Sequence, residues 1–229
     1  MRHKYNMKGE LVKEWEDGLW SVTTILDVAH KPALQAWRDN VGPEEADRYM
    51  RERADIGSKV HAACETYLNA RGGIGKTMIL HREMFNIGSD ASMMYDGFLK
   101  WLEKTEPHTL ATEKFVYSTR HGYAGSADYV CEIDGELWII DFKTSKSLHD
   151  AMGLQLAAYR QAYQEMTGRR ARTAILKLTT KTQKGWQFKE YNEPIKPFLG
   201  LKAFFDWEIK KNPPKPQVER VQWDGGLIT

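Results

Sequence analysis

The sequence predicts a single α/β domain: a central mixed β-sheet flanked by helices, with a helical N-terminal part. Two observations carry this expectation. Helix-length stretches punctuated by Pro and Gly fill the first half of the chain, and β-branched and aromatic runs begin only near residue 111. Beyond that point strands and helices alternate, the order that lays helices against a sheet. At 229 residues the chain is long enough for one large core and short for two.

Gly9-Glu10 and Asp17-Gly18 read as turns around a short strand or hairpin, and Ser21 or Thr23 can cap a helix start. Pro32 suits the first turn of a helix reaching about Asn40. Gly42-Pro43 breaks the chain before a long helix, about Glu44 to Asn69, which Gly72-Gly73 would end. Another helix covers about Asp90 to Lys104. The helical part thus spans about 21–105. Residues 111–118, 123–133 and 136–143 then read as an antiparallel meander. A helix at 150–167, strands at 172–180 and 185–191, and a helix at about 194–211 complete a sheet-bearing part spanning about 110–211, and residues 212–229 form a tail.

Composition is that of a globular chain, 41% hydrophobic and 28% charged. The net charge of +2 announces no polyanion partner, so any attraction to phosphate must come from local arrangement, as in the run Arg169, Arg170 and Arg172. Two cysteines, Cys64 and Cys131, cannot make a four-cysteine zinc site or an iron–sulfur cluster, and they fit a reducing compartment. Residues 1–10 lack the apolar core of a signal peptide and no run is long enough to span a membrane, so a cytoplasmic protein is expected.

The chemistry concentrates in residues 123–146, YAGSADYVCEIDGELWIIDFKTSK. Asp134-Gly135 is the dipeptide favoured in a two-residue type I′ turn. Ile133 then faces Glu136, and counting back along both strands brings Asp128 opposite Asp141, with Cβ atoms about 5 Å apart. Alternation places Lys143 on the same face, opposite Ser126. Two carboxylates at that distance repel by roughly 3 kcal/mol at an effective dielectric near 20. A shared proton or a bridging divalent cation would relieve the repulsion, and Mg²⁺ or Mn²⁺ suits hard oxygen donors. The neighbouring Lys143 favours metal-assisted phosphate chemistry, because an ammonium can hold a water or balance charge on a phosphoryl group.

Two further clusters lie on helices. Arg53, Gly57, His61 and Glu65 share one face of the long helix. Mid-helix glycine costs about 1 kcal/mol against alanine, so Gly57 suggests a close approach to the backbone. Gln155 and Tyr159 share a face of the helix after the hairpin, where they would present a polar edge. ARGGIGKT (70–77) is a relaxed P-loop pattern, but it follows a helix rather than a strand, and ATP binding is not expected. Trp37, Tyr67 and Trp101 are candidates for stacking on bases, or else core residues.

Together these motifs resemble the RecB-like exonuclease branch of the PD-(D/E)XK nuclease superfamily, of the stand-alone kind found in phages and recombination systems. RADIGSKVH (53–61) resembles the helix motif that brings a histidine to the metal, GSAD (125–128) the strand with the first aspartate, and DFK (141–143) the (D/E)XK itself. Gln155 and Tyr159 resemble the QxxxY motif, and Glu113 an acidic residue often present on the first strand. The resemblance implies a restriction-endonuclease-like fold and a DNA exonuclease leaving 5′-phosphates, with one or two Mg²⁺ or Mn²⁺ ions. Asp128, Asp141, the Phe142 carbonyl and His61 would hold metal, and Lys143 would position water. Glu65 and Glu113 would add acidic groups, while Gln155, Tyr159 and Arg53 would meet the substrate. DNA is the expected partner, alongside a second copy or a recombination protein. A structure- or site-specific endonuclease and a non-catalytic nucleic-acid-binding module are the alternative readings.

Overall fold

The computed structural model describes residues 2–14, 16–29, 31–70 and 89–215. Residues 71–77 of the glycine-rich loop and the end of the tail lie outside these. Three short strands open the chain: β1 (Lys4–Tyr5), β2 (Leu11–Val12) and β3 (Leu19–Ser21). Ser21 caps α1 (Val22–Leu26), its hydroxyl accepting the Thr24 N–H at 3.0 Å. Pro32 opens α2 (Pro32–Val41). Gly42 at φ +89° turns the chain into α3 (Pro43–Asn69), since that backbone region is open to glycine. After α4 (Asp90–Thr105) come β4 (His108–Ser118), β5 (Tyr123–Ile133) and β6 (Glu136–Lys143). Then follow α5 (Asp150–Thr167), β7 (Arg172–Leu178), β8 (Trp186–Tyr191) and α6 (Ile195–Lys211).

The strands form one eight-stranded mixed sheet in the order β2-β1-β3-β5-β6-β7-β8, with β4 also on β5. β3–β5 and β6–β7 are parallel and the other pairs antiparallel. The first long strand starts at His108, three residues before the expected 111. Asp134 at φ +52° and Gly135 at φ +79° make the expected tight turn between β5 and β6.

Alternation along β6 divides the core between the two sheet faces. Leu137 and Ile139 join Val22, Ile25, Leu156, Tyr159 and Phe198, from α1, α5 and α6. Trp138, Ile140 and Phe142 join Val60, Cys64, Phe98 and Trp101, from α3 and α4. Trp101 is fully buried and Tyr67 packs against this second cluster, so both are core residues. Helix α2 buries nothing and rests on α3. Among the described residues no helix is long and apolar enough to cross a membrane.

The pairing around β5 sets up the site. β4 lines one edge of β5 along its length. The other edge is shared: β6 pairs with Tyr129–Ile133, β3 pairs with Tyr123 and Ala124, and residues 125–128 pair with neither. The strand alternation also breaks here, because Ala127 and Tyr129 belong to opposite core clusters.

Candidate active site

Asp141 lies near the C-terminal end of β6, where the parallel β6–α5–β7 unit opens. Only 1% of it is exposed. Its Oδ1 accepts from the Gln155 amide at 2.9 Å, and the same amide reaches the Tyr159 hydroxyl at 3.0 Å. Its Oδ2 pairs with the Lys143 ammonium at 2.5 Å. Burial alone would lower the Lys143 pKa, but Asp141 and Asp128 reverse this and raise it, so the ammonium stays charged.

Asp128 stands where β5 and β6 part. The last ladder pair is Tyr129–Ile140, one step short of the expected Asp128–Asp141 pair. The Asp128 Oδ2 instead accepts the Phe142 N–H at 2.7 Å, a donor that no β5 carbonyl takes up. Lys143 accordingly does not face Ser126. Lys143 pairs with Lys177 on β7, and Ser126 pairs with Phe115 on β4. Burial first, then the charge of Asp141, pushes the Asp128 carboxyl well above its ordinary pKa. His61, from the long helix α3, brings Nδ1 to 3.5 Å from Asp128 Oδ2, and its ring meets Phe142 edge-on at 6.0 Å. Burial lowers its pKa against the upward pull of Asp141 and the Phe142 backbone, favouring a neutral imidazole.

The other expected residues fall into place unevenly. Glu113 lies at the edge of the site. Its backbone takes φ +42° in mid-strand between the Thr112–Tyr129 and Lys114–Ala127 pairs, its Oε2 accepts from the Ser126 hydroxyl at 2.7 Å, and its charge is felt by both Asp128 and His61. A non-glycine residue there carries on the order of 1 kcal/mol of strain. Neither Glu65 nor His61 completes a set with the two aspartates: among the described residues no three His, Cys, Asp or Glu side chains stand close enough to hold a cation unaided. Gln155 and Tyr159 were expected to meet the substrate, but both are buried behind Asp141 and orient its carboxylate. Arg53, also expected at the substrate, ties α3 to Thr144 O at 3.0 Å and to Asp90 at 3.2 Å. The close approach expected at Gly57 is Thr144, whose hydroxyl would lie 3.1 Å from a Cβ there. In the basic run, Arg169 pairs with Glu132 and Arg172 with Glu190. Sequence reasoning did not single out Lys146 or Tyr49, which flank the site together with Trp37. The only signal for Lys146 was a basic, serine-rich stretch following DFK, and Tyr49 had none.

A divalent cation fits these residues. Asp128 and Asp141 share one ammonium, Lys143, and burial with the charge of Asp141 still holds the Asp128 carboxyl well above its ordinary pKa, so the pair calls for further positive charge. Mg²⁺ and Mn²⁺ are commonly held through one or two carboxylates with water completing the shell, which matches a donor set of two acids.

No curated protein sequence is significantly similar to this chain. Among solved structures, a candidate exonuclease from Eubacterium rectale is 12% identical at a TM-score of 0.48, the match covering 68% of this chain and 66% of that one. The alkaline exonuclease of Laribacter hongkongensis is 10% identical at 0.35, covering 65% and 91%. Its complex with dAMP gives 11% identity at 0.36, covering 67% and 94%. These likenesses are remote. A family model for the PD-(D/E)XK nuclease superfamily matches residues 20–225. Since that match runs from β3 past the end of α6 and takes in every strand and helix around the hairpin, the chain belongs to the PD-(D/E)XK nuclease superfamily.

Proposed function

We propose that this nuclease is a divalent-metal-dependent DNA exonuclease, hydrolysing phosphodiester bonds to leave 5′-phosphates during recombination, repair or phage DNA processing. The observation that carries the reading is the buried Asp141 carboxylate, held by Gln155 through one oxygen and paired with the Lys143 ammonium through the other, beside Asp128. The RecB-like character rests on the Gln155–Tyr159 relay behind it.

Asp128, Asp141, the Phe142 carbonyl and His61 would hold the metal. When bound it supplies Lewis acidity to the phosphoryl oxygens and lowers the pKa of water. Gln155 fixes the rotamer of Asp141, and Tyr159 fixes Gln155. The charged Lys143 ammonium donates to the oxygen of the attacking water and offsets negative charge gathering on the phosphoryl group. The water oxygen ends on the 5′-phosphate and the 3′-oxygen leaves as a hydroxyl.

The test is digestion of end-labelled linear DNA and of closed circular DNA in Mg²⁺ or Mn²⁺. Linear DNA should be shortened from its ends to 5′-phosphorylated products while circles persist and EDTA stops the reaction. Asp141→Ala and Lys143→Ala should each lower turnover about a thousandfold or more with DNA binding retained. Wild-type turnover in either variant would remove the mechanism, and cutting of circles would convert the assignment to an endonuclease.

A further inference from the structure

An open cleft of about 800 Å³ adjoins His61 and Lys143 and continues beneath α2. Its far wall is apolar. Leu34, Trp37 and Val41 lie along one side of α2 and line the cleft, so α2 turns its apolar stripe to the cleft rather than to either core cluster. Leu34 and Met50 are 37% and 41% exposed. Trp37 is braced edge-on by Tyr49 at 5.5 Å. Beside it lies a cation: Lys146 places its ammonium 4.7 Å from the Tyr49 ring centroid. Arg53 and Lys143 also line the cleft, each already paired with an aspartate, and the lining's one carboxylate, Glu45, is paired by Arg48 at 2.6 Å.

An apolar, aromatic wall with lysines beside it suits a ligand that carries both rings and negative charge. A nucleic-acid strand has that form, and the cleft is continuous with the site that would cut its backbone. Bases within a duplex are already stacked and would have to unstack to meet an indole face, whereas an unpaired base meets it freely. We propose that this cleft holds an unpaired stretch of the DNA strand being cut, with Trp37 stacking on a base and Lys146 contacting a phosphate next to the scissile one, which makes single strands or frayed ends the preferred substrate. The proposal rests on the nuclease reading of the Asp128–Asp141 site.

The experiment measures binding, in EDTA, of a fluorescent twelve-residue oligothymidylate and of a blunt twelve-base-pair hairpin to wild type, Trp37→Ala and Trp37→Phe. Trp37 is outside both core clusters, so thermal unfolding should stay unchanged. The alanine variant should bind the single strand about tenfold more weakly and the phenylalanine variant within about threefold of wild type, with hairpin binding unmoved. Equal losses on both probes, or no loss on either, would overturn the subsite. So would a shift of oligomeric state in the variant, which would assign the cleft to a second copy. Trp37-dependent binding by a wild-type protein that cleaves no DNA would leave the subsite standing and sink the nuclease reading. Cleavage of single strands without dependence on Trp37 would do the reverse.

Discussion

Asp128 is a charge held in a place that disfavours charge. Its carboxyl is buried and faces Asp141, and the Phe142 N–H and Lys143 only partly offset this. The folded state therefore holds a proton on Asp128 more tightly than the unfolded state does, and at neutral pH its ionised form destabilises the fold. Asparagine keeps an oxygen for the Phe142 N–H and removes the charge. Asp128→Asn in EDTA at pH 7.5 should raise the urea midpoint by the equivalent of about 1 kcal/mol at unchanged m-value while abolishing cleavage. A lower midpoint would show that the carboxylate is adequately paired without metal. The closeness of these two acids was legible in the sequence, because a two-residue turn fixes the register of both strands. What the register concealed is that the ladder stops at Tyr129–Ile140, leaving Asp128 to replace a backbone acceptor and meet His61. That contact joins residues 67 positions apart and has no local signature.

The elements were read well where local chemistry decides them. Ser21 as a cap, Pro32 in a first turn, Gly42 between helices and the alternation of β6 each act within a few residues. The gap at residues 125–128 was not legible, because it exists only where β3, a hundred residues earlier, takes over the edge that β6 vacates. Packing between elements was hidden for the same reason. Gly97 on α4 meets Gly185 in the turn before β8, and a Cβ at Gly97 would lie 2.3 Å from the Gly185 carbonyl oxygen. Neither side can yield, since both contacts are backbone and Gly185 sits at φ +78°. Gly97→Ala should lose about 1–3 kcal/mol through displacement of α4, outweighing the helix-propensity gain of about 1 kcal/mol. Gly200→Ala on α6, where a Cβ meets nothing within 4 Å, should keep that gain. Urea denaturation of the two variants checks the contrast, and equal stabilities would show that α4 can shift without cost.

At the scale of the molecule, the site joins the two layers that the sheet separates. His61 comes from α3, packed on the face of Phe142, while Gln155 and Tyr159 come from α5 on the face of Ile139. Asp128 and Asp141 lie between them, where β5 and β6 part. A cation held by the two carboxylates, with His61 drawn in from α3, would therefore bind only when both layers are docked on the sheet, and its binding energy would count toward global rather than local stability. At a concentration a hundred times its dissociation constant, such an ion adds about 2.7 kcal/mol, or a rise in Tm of roughly 5–10 °C for a chain of this size. Calorimetry of the wild type against Mn²⁺ should show one cooperative transition moving upward, and Asp141→Asn should lose most of the shift. His61→Ala should lose part of it, because its α3 layer would no longer be tied in. A shift of equal size in wild type and Asp141→Asn would place the ion elsewhere. An unmoved midpoint in the wild type would mean that the carboxylates hold no cation at all, leaving Lys143 as their sole counter-charge.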